Sequence, residues 1–233
     1  MDCGLEIKNM SFFRISSRTG QNPFKLKKSK RVMIFQDLSL TITQGERVAL
    51  LGQNGAGKTT LLRIMAGIFQ PDCGSVIRNG QISTFLDGTY GLDPFLTGRE
   101  NSRSRMIMSK VGKDDVEKHL NNIEEFADLG EYFDQPVKNY STGMILRLIF
   151  SIGTVKTNQI LLIDEGFGTA DIEFQNKAFA RLNSIYDKSP IIVMASHNLE
   201  LLRSQCLRGV VIVRGKIVFD GAIGPAIDYY LEN

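Results

Sequence analysis

Residues 48–60 read Val48-Ala-Leu-Leu-Gly52-Gln-Asn-Gly-Ala-Gly57-Lys58-Thr59-Thr60, and this stretch decides the fold. It fits the pattern G-x-x-x-x-G-K-[ST] from Gly52 to Thr59. The apolar run Val48–Leu51 before it reads as a strand, and Leu61-Leu-Arg-Ile-Met-Ala66 after it reads as a helix. In a strand, glycine-rich loop and helix start of this kind, successive main-chain N–H groups turn into a concavity backed by the positive end of the helix dipole. Such a cradle binds phosphate. Gly55 and Gly57 let the backbone approach the phosphate oxygens closely. Lys58 is placed to reach the β- and γ-phosphates, and the Thr59 hydroxyl to sit on Mg²⁺. Gly52, Gln53, Asn54, Gly55, Ala56, Gly57, Lys58, Thr59 and Thr60 are therefore the expected nucleotide-binding residues.

The rest of the chain bounds this reading. Its 233 residues, 42 % hydrophobic and 23 % charged, are an ordinary globular composition with room for a substantial core. No apolar run approaches the roughly 18 residues needed to span a bilayer. The start, Met1-Asp-Cys-Gly-Leu-Glu, is neither basic nor followed by a long apolar region, so no secretory signal is read and a cytosolic location is expected. A net charge of +3 is too mild to argue for nucleic acid. Locally, Lys25, Lys27, Lys28, Lys30 and Arg31 form a basic cluster, read as a solvated loop between strands, with anionic lipid or an acidic partner as the alternative. Cys3, Cys73 and Cys206 are scattered and fit neither a disulfide framework nor a metal site.

Short strands are predicted at Leu5–Asn9, Val32–Phe35 and Leu38–Ile42, closed by the turn Gln44-Gly45-Glu46. Residues 12–31 read as an extended hairpin or loop. A turn at Pro71–Gly74 precedes a strand at Ser75–Arg78. From about 95 to 156 strand signals vanish, and Val116, Leu120, Ile123 and Ala127 recur at helical spacing. Strands return at Ile160–Ile163, Ile191–Ala195 and Val210–Val213. The first two are continuous apolar runs, as suits strands buried on both faces of a parallel sheet. The expectation is one α/β domain over residues 1–233, with a helical lobe inserted at about 95–156.

Asp164 and Glu165 end the run that begins at Ile160, at the strand edge where open α/β sheets bind ligands. Burying an unpaired carboxylate is costly. Asp164 is therefore read as a holder of Mg²⁺, directly or through water, and Glu165 as the general base that polarises the attacking water. An acidic pair capping the next turn is the alternative. His197, just past the run ending at Ala195, is read as a hydrogen-bond partner of the γ-phosphate or the attacking water. His119, on a helix among charged residues, is given no role. Tyr140-Ser141-Thr-Gly143-Met144 opens a helix, with Ser141 as N-cap and free N–H groups offering a second phosphate-binding surface.

A phosphate loop, a helical insert ending in Tyr-Ser-Thr-Gly-Met, Asp-Glu after an apolar strand and then Ser-His: this order resembles the ATP-binding-cassette (ABC) ATPases over nearly the whole chain. The resemblance implies a P-loop NTPase fold of the ABC type, with a mixed sheet core, an N-terminal antiparallel β region and an inserted helical lobe. It implies ATP and Mg²⁺ as cofactors, and a head-to-tail homodimer that sandwiches two ATP molecules and opens on hydrolysis. By residue matching, Phe13 stacks on adenine, Ser141 and Gly143 contact the partner's γ-phosphate, and Asp171, in Gly168-Thr-Ala-Asp171, lies in the loop that crosses the dimer interface. This chain departs from the family at Asp87, where a glutamine that senses Mg²⁺ and the transporter is usual, and at Thr142 in the signature.

Leu96-Thr-Gly-Arg-Glu-Asn101, Glu125-Phe-Ala-Asp-Leu-Gly-Glu-Tyr-Phe133 and the signature followed by Arg147 look like the ABC ATPases that export bacterial surface polysaccharides. That resemblance implies a peripheral subunit on the cytoplasmic face of the inner membrane. It would power a separate integral membrane permease that moves a lipid-linked glycan: lipopolysaccharide O-antigen, capsule or wall teichoic acid. With the chain ending at Asn233, soon after Tyr229-Tyr230, no further carbohydrate-binding domain is expected. The alternatives are a soluble ABC-type ATPase acting on nucleic acid or ribosomes, and a regulatory cassette that binds ATP without useful turnover. The first usually bears a long coiled coil or two cassettes; intact Lys58, Asp164, Glu165 and His197 argue against the second.

Overall fold

The computed structural model describes residues 4–16, 30–85, 91–109, 111–155, 159–164, 171–186 and 191–233. In chain order the elements are β1 (Gly4–Ser16), β2 (Lys30–Thr43), β3 (Arg47–Leu51), α1 (Lys58–Met65), β4 (Cys73–Asn79), β5 (Ile82–Phe85), α2 (Gly98–Met108) and α3 (Lys113–Ala127). They continue with α4 (Thr142–Thr154), β6 (Ile160–Asp164), α5 (Ile172–Tyr186), β7 (Ile191–Ala195), α6 (Leu199–Gln205), β8 (Arg208–Val213), β9 (Lys216–Ala222) and α7 (Ile223–Glu232). The chain forms two compact units: Met1–Gly80 together with Ile191–Asn233, and Gln81–Pro190.

The first unit holds an antiparallel sheet in the order β2-β1-β4. Leu5 and Ile7 on β1 and Leu40 and Ile42 on β2 alternate inward, which is the period of two that buries one face of each strand. The separate strands predicted at Val32–Phe35 and Leu38–Ile42 are one strand, because a bulge at Asp37, whose φ is 51°, carries the pairing through. The hairpin or loop predicted over residues 12–31 is strand as far as Ser16 and again from Lys30. Lys25, Lys27 and Lys28 of the basic cluster lie outside the described residues.

In the same unit β3 runs parallel to both β7 and β8, and β9 pairs antiparallel with β8, a mixed sheet. Val48, Ala49 and Leu50 are fully buried, as an apolar run flanked by strands on both sides requires. One arginine ties its lower end together. Arg208 donates from Nε and Nη2 to Asp220 at 2.6 and 2.7 Å, and from Nη1 to Glu46 at 2.8 Å and to the Thr41 carbonyl at 3.0 Å.

In the second unit β5 and β6 pair in parallel, Ile82 opposite Ile160 and Phe85 opposite Ile163. The helices α2, α3 and α4 account for most of residues 98–154. Val116, Leu120, Ile123 and Ala127 turn the apolar stripe of α3 onto Met106, Phe133 and Leu148. The string around Thr97 is scaffolding: the Thr97 hydroxyl accepts from the Glu100 N–H at 3.1 Å while the Glu100 carboxylate accepts from the Thr97 N–H at 2.8 Å, a capping box. Buried Asn101 donates to the carbonyls of Asp93, Leu96 and Thr97. The string from Glu125 to Phe133 closes α3, with Asp128 left-handed at φ 51°. Lys177 donates to the orphan carbonyls of Glu125 and Phe126 at 3.3 and 3.0 Å, complementing the negative end of the helix.

Candidate functional site

Where β3 ends, the chain enters the glycine loop. A Cβ on Gly52 would lie 2.5 Å from the Ile212 carbonyl oxygen of β8, so the loop's first residue rests directly on the neighbouring backbone. Gly57 has φ 108° and ψ 6°, and a Cβ there would stand 2.7 Å from Cζ of the buried Phe35. Between them the Ala56 N–H donates to the Gln53 carbonyl at 3.0 Å, closing the turn.

Helix α1 then starts on Lys58 with no side-chain cap and no acidic residue in its first turn. The first-turn N–H groups and the dipole thus stay available to an anion. The Lys58 side chain is buried, and Nζ donates to the Gly52 carbonyl at 2.5 Å and towards the Gln53 carbonyl at 3.4 Å. The loop itself therefore holds the ammonium at its mouth. Thr59 and Thr60 follow, half-buried. All nine residues predicted from Gly52 to Thr60 form this one structure.

His197 lies in the same unit. Leu50 of β3 pairs with Ala195 of β7, so Gly52 and His197 each stand two residues past one rung, at the same edge of the parallel pair. His197 is exposed. The next residue fixes the turn: Asn198 caps α6 by accepting from the Leu201 N–H at 3.0 Å, and its own N–H donates to the Ser196 hydroxyl at 3.1 Å.

Phe13 and Phe12, adjacent on β1, have different surroundings. The Phe12 ring stacks on Phe69 with centroids 5.7 Å apart and planes 10° from parallel, and Arg63 lies 5.6 Å from the Phe69 centroid. Phe12 is thereby used in packing. Phe13 is half-buried, its main-chain N–H donating to the Asp72 carboxylate at 2.8 Å, and its ring makes no ring contact with another described residue.

In the second unit Asp164 is the last residue of β6, every residue of which is buried; Asp164 itself is 7 % exposed. Glu165 and Asp87 lie outside the described residues, as do Gly168, Thr169 and Ala170. A hydroxyl on Thr59 and a carboxylate on Asp164 are hard oxygen donors of the kind Mg²⁺ takes. Among the described residues no three His, Cys, Asp or Glu side chains gather into a metal cage.

The start of α4 is built from side chains. Ser141 caps it, its hydroxyl accepting from the Met144 N–H at 3.3 Å, and Ser141 itself is exposed while Gly143 is half-buried. Tyr140 before it is buried and donates from its hydroxyl to the Tyr132 carbonyl at 2.6 Å. Burial pushes the Tyr140 phenol up to about 12. One turn into α4, Arg147 donates from Nη2 to Asp171 Oδ2 at 2.7 Å and lies 5.1 Å from the Phe174 ring centroid. Asp171 Oδ1 accepts from the Phe174 N–H at 2.8 Å, capping α5. The Arg147 bond and the Phe174 N–H together hold the Asp171 carboxyl below its ordinary value. Arg147 and Asp171 stand 24 positions apart in the chain, so no local sequence signal joins them.

Comparison with known proteins places these features in context. Residues 35–168 match the ABC transporter family. The chain is 40 % identical over 177 residues to the O-antigen export system ATP-binding protein RfbE of Yersinia enterocolitica, covering 76 % of this chain and 74 % of that protein. It is 38 % identical over 176 residues to the polysialic acid transport ATP-binding protein KpsT of Escherichia coli, covering 76 % of this chain and 80 % of that one. It is 37 % identical over 202 residues to the ABC transporter protein AbcA of Aeromonas salmonicida, covering 85 % of this chain but 66 % of that longer protein. In fold it is similar to an ATP-binding cassette solved as a dimer in a post-hydrolysis state with ADP and Pi, with a TM-score of 0.78, 19 % identity, and 94 % and 98 % of the two chains covered.

Proposed function

We propose that this chain, which belongs to the ABC transporter family, is the ATP-hydrolysing subunit of an exporter that drives a lipid-linked surface polysaccharide, O-antigen-like or capsular, across the inner membrane. The observation that carries the nucleotide half of this reading is the Gly52–Thr60 loop. Its backbone is closed on itself, its helix starts without a side-chain cap, and its lysine ammonium is buried at the mouth. Relatives that serve O-antigen export and polysialic acid transport support the cargo half.

In this reading the loop N–H groups and Lys58 hold the β- and γ-phosphates of ATP, and the Phe13 ring covers adenine. Thr59 and Asp164 hold Mg²⁺, which when bound offsets charge on the phosphates. Glu165 takes the proton of the attacking water, and His197 orients the water or the γ-phosphate. Ser141 and Gly143 present the start of α4 to the γ-phosphate bound by a second copy, so the working unit is a homodimer, and Asp171 lies at the interface. Among the described residues no helix is long and apolar enough to cross a membrane. The path through the bilayer is therefore assigned to a separate integral membrane permease, with this chain peripheral on its cytoplasmic face. One cassette over residues 1–233, with its helical lobe at about 95–156, is part of the same proposal; the unbroken series α2–α4 supports the lobe.

The test is deletion of the gene followed by fractionation of envelope glycolipids, with complementation by wild type and by Glu165→Gln. Surface polymer should disappear, lipid-linked precursor should accumulate inside, and only wild type should restore export. An unchanged surface with no trapped precursor would overturn the proposal.

A further inference from the structure

A cavity of about 290 Å³ opens in the first unit beside the phosphate loop. Its walls are the loop from Gly52 to Ala56, the end of β8 with the turn at Arg214, and the last turn of α7 with Asn233. Lys58, Thr59 and Thr60 do not line it, so it is separate from the triphosphate cradle although it shares the Gly52–Ala56 wall. Its floor is apolar, with Val211 and Ile212 at 1 % and 0 % exposure.

The rim is polar. The side chains of Gln53, Asn54, Arg214 and Tyr230 make no hydrogen bond or ion pair with another described residue, so their donors and acceptors are open to a ligand. Tyr229 is fixed by its ring contact with Phe219, centroids 5.5 Å apart, and by the bond from Asn233 Nδ2 to its carbonyl at 3.0 Å. Arg214 sits at a left-handed φ of 49°, a conformation in which the turn holds its backbone. Neither Asp nor Glu lines the cavity.

We propose that this cavity binds a small phosphorylated sugar. Tyrosine rings offer flat faces to the apolar side of a pyranose. Two amide side chains supply paired donors and acceptors for neighbouring hydroxyls. The guanidinium matches a phosphate in charge and fork geometry, with no carboxylate nearby to oppose it. A purely apolar ligand would strip water from the amides and the guanidinium without replacing it. Because Gln53 and Asn54 belong to the phosphate loop, occupancy of the cavity and nucleotide affinity are coupled, by the same factor in both directions. The site does not depend on the exporter reading.

The experiment is calorimetric titration of the full chain with glucose 1-phosphate, with and without saturating Mg²⁺ and ADP, on wild type, Arg214→Gln and Tyr230→Phe. Glucose and inorganic phosphate serve as part-ligands. Glucose 1-phosphate should bind in the presence of ADP. Arg214→Gln should weaken it at least tenfold and Tyr230→Phe about threefold, while each part-ligand binds at least tenfold more weakly than the whole. ADP affinity, measured without the sugar phosphate, should stay at the wild-type value in both variants and reports separately on the nucleotide site. Any of four results overturns the proposal: no binding, displacement by ADP, inorganic phosphate binding as well as the sugar phosphate, or both variants binding like wild type.

Discussion

Two helix starts carry the phosphate chemistry proposed for this chain, and they are built in opposite ways. The start of α1 is made of main chain. Gly57 precedes it without a side-chain cap, and the Lys58 side chain is held by carbonyls five and six residues back. The start of α4 is made of side chains. Ser141 caps it, Tyr140 is anchored eight residues back, and Arg147 is tied to Asp171, 24 residues on. A site made of backbone is fixed by which residues can adopt the required angles. A site made of side chains is fixed by partners distant in sequence. The two should therefore break differently.

The largest effect is expected at the backbone-built start. Alanine at position 57 must accept φ 108° and place Cβ 2.7 Å from Phe35 Cζ, where Phe35 is fully buried. Left-handed strain of about 1–2 kcal/mol and overpacking of about 1–3 kcal/mol put Gly57→Ala about 2–5 kcal/mol below wild type in urea unfolding, with nucleotide binding lost. A cost under about 1 kcal/mol would mean that Phe35 does not fix the loop.

The same contrast explains what the sequence made legible. The loop was readable in full because its residue types are its geometry: a glycine where a left-handed angle is needed, a lysine at the helix start. The buried strands β6 and β7 were readable as apolar runs, and α3 from the spacing of Val116, Leu120, Ile123 and Ala127. The bulge at Asp37 was not, since a positive φ at an aspartate leaves no periodic mark; the sequence therefore read as two strands where there is one. Helix α7 and strand β9 also went unread, because Ile217 and Phe219 on β9 are only half-buried between exposed neighbours and α7 buries just Ala226 and Ile227. The Leu96–Asn101 string was legible as a family likeness but not as a structure. Its capping box and the threefold bonding of Asn101 give the physical reason for those residues. Arg147 with Asp171, and Asp72 with Phe13, were illegible because each pair joins across many residues.

At the side-chain-built start the middle effect falls on Tyr140. Tyr140→Phe removes the hydroxyl that donates to the Tyr132 carbonyl and should cost about 1–2 kcal/mol at neutral pH. It should also change the response to alkali. Burial raises the folded-state phenol from 10.0 to about 12, so above pH 10 the unfolded chain has lost a proton that the folded chain keeps. The stability tied to that proton is fully present below pH 10 and is lost as the pH rises through about 12. Urea midpoints taken across that window should fall less steeply in the phenylalanine variant. Parallel curves would place the Tyr140 hydroxyl in water rather than against Tyr132.

The smallest effect on stability, and the sharpest on the comparison, is expected at Ser141. If Ser141 only caps α4, Ser141→Ala should cost about 1 kcal/mol, and Ser141→Asp, an equally good cap, close to nothing. Turnover should then follow stability in both variants. If Ser141 also meets a phosphate from a second copy, aspartate keeps the cap but sets a carboxylate against that phosphate. Ser141→Asp should then fold as wild type yet lose ATP-dependent dimerisation and at least tenfold in turnover, about 1.4 kcal/mol in the barrier. Alanine should fall between the two in activity while being the less stable variant. Reversed ranks of stability and activity can only come from a residue with two separate partners, its own helix and an anion. If aspartate is as active as serine, α4 begins with a cap and nothing more, and the second phosphate surface must be sought elsewhere.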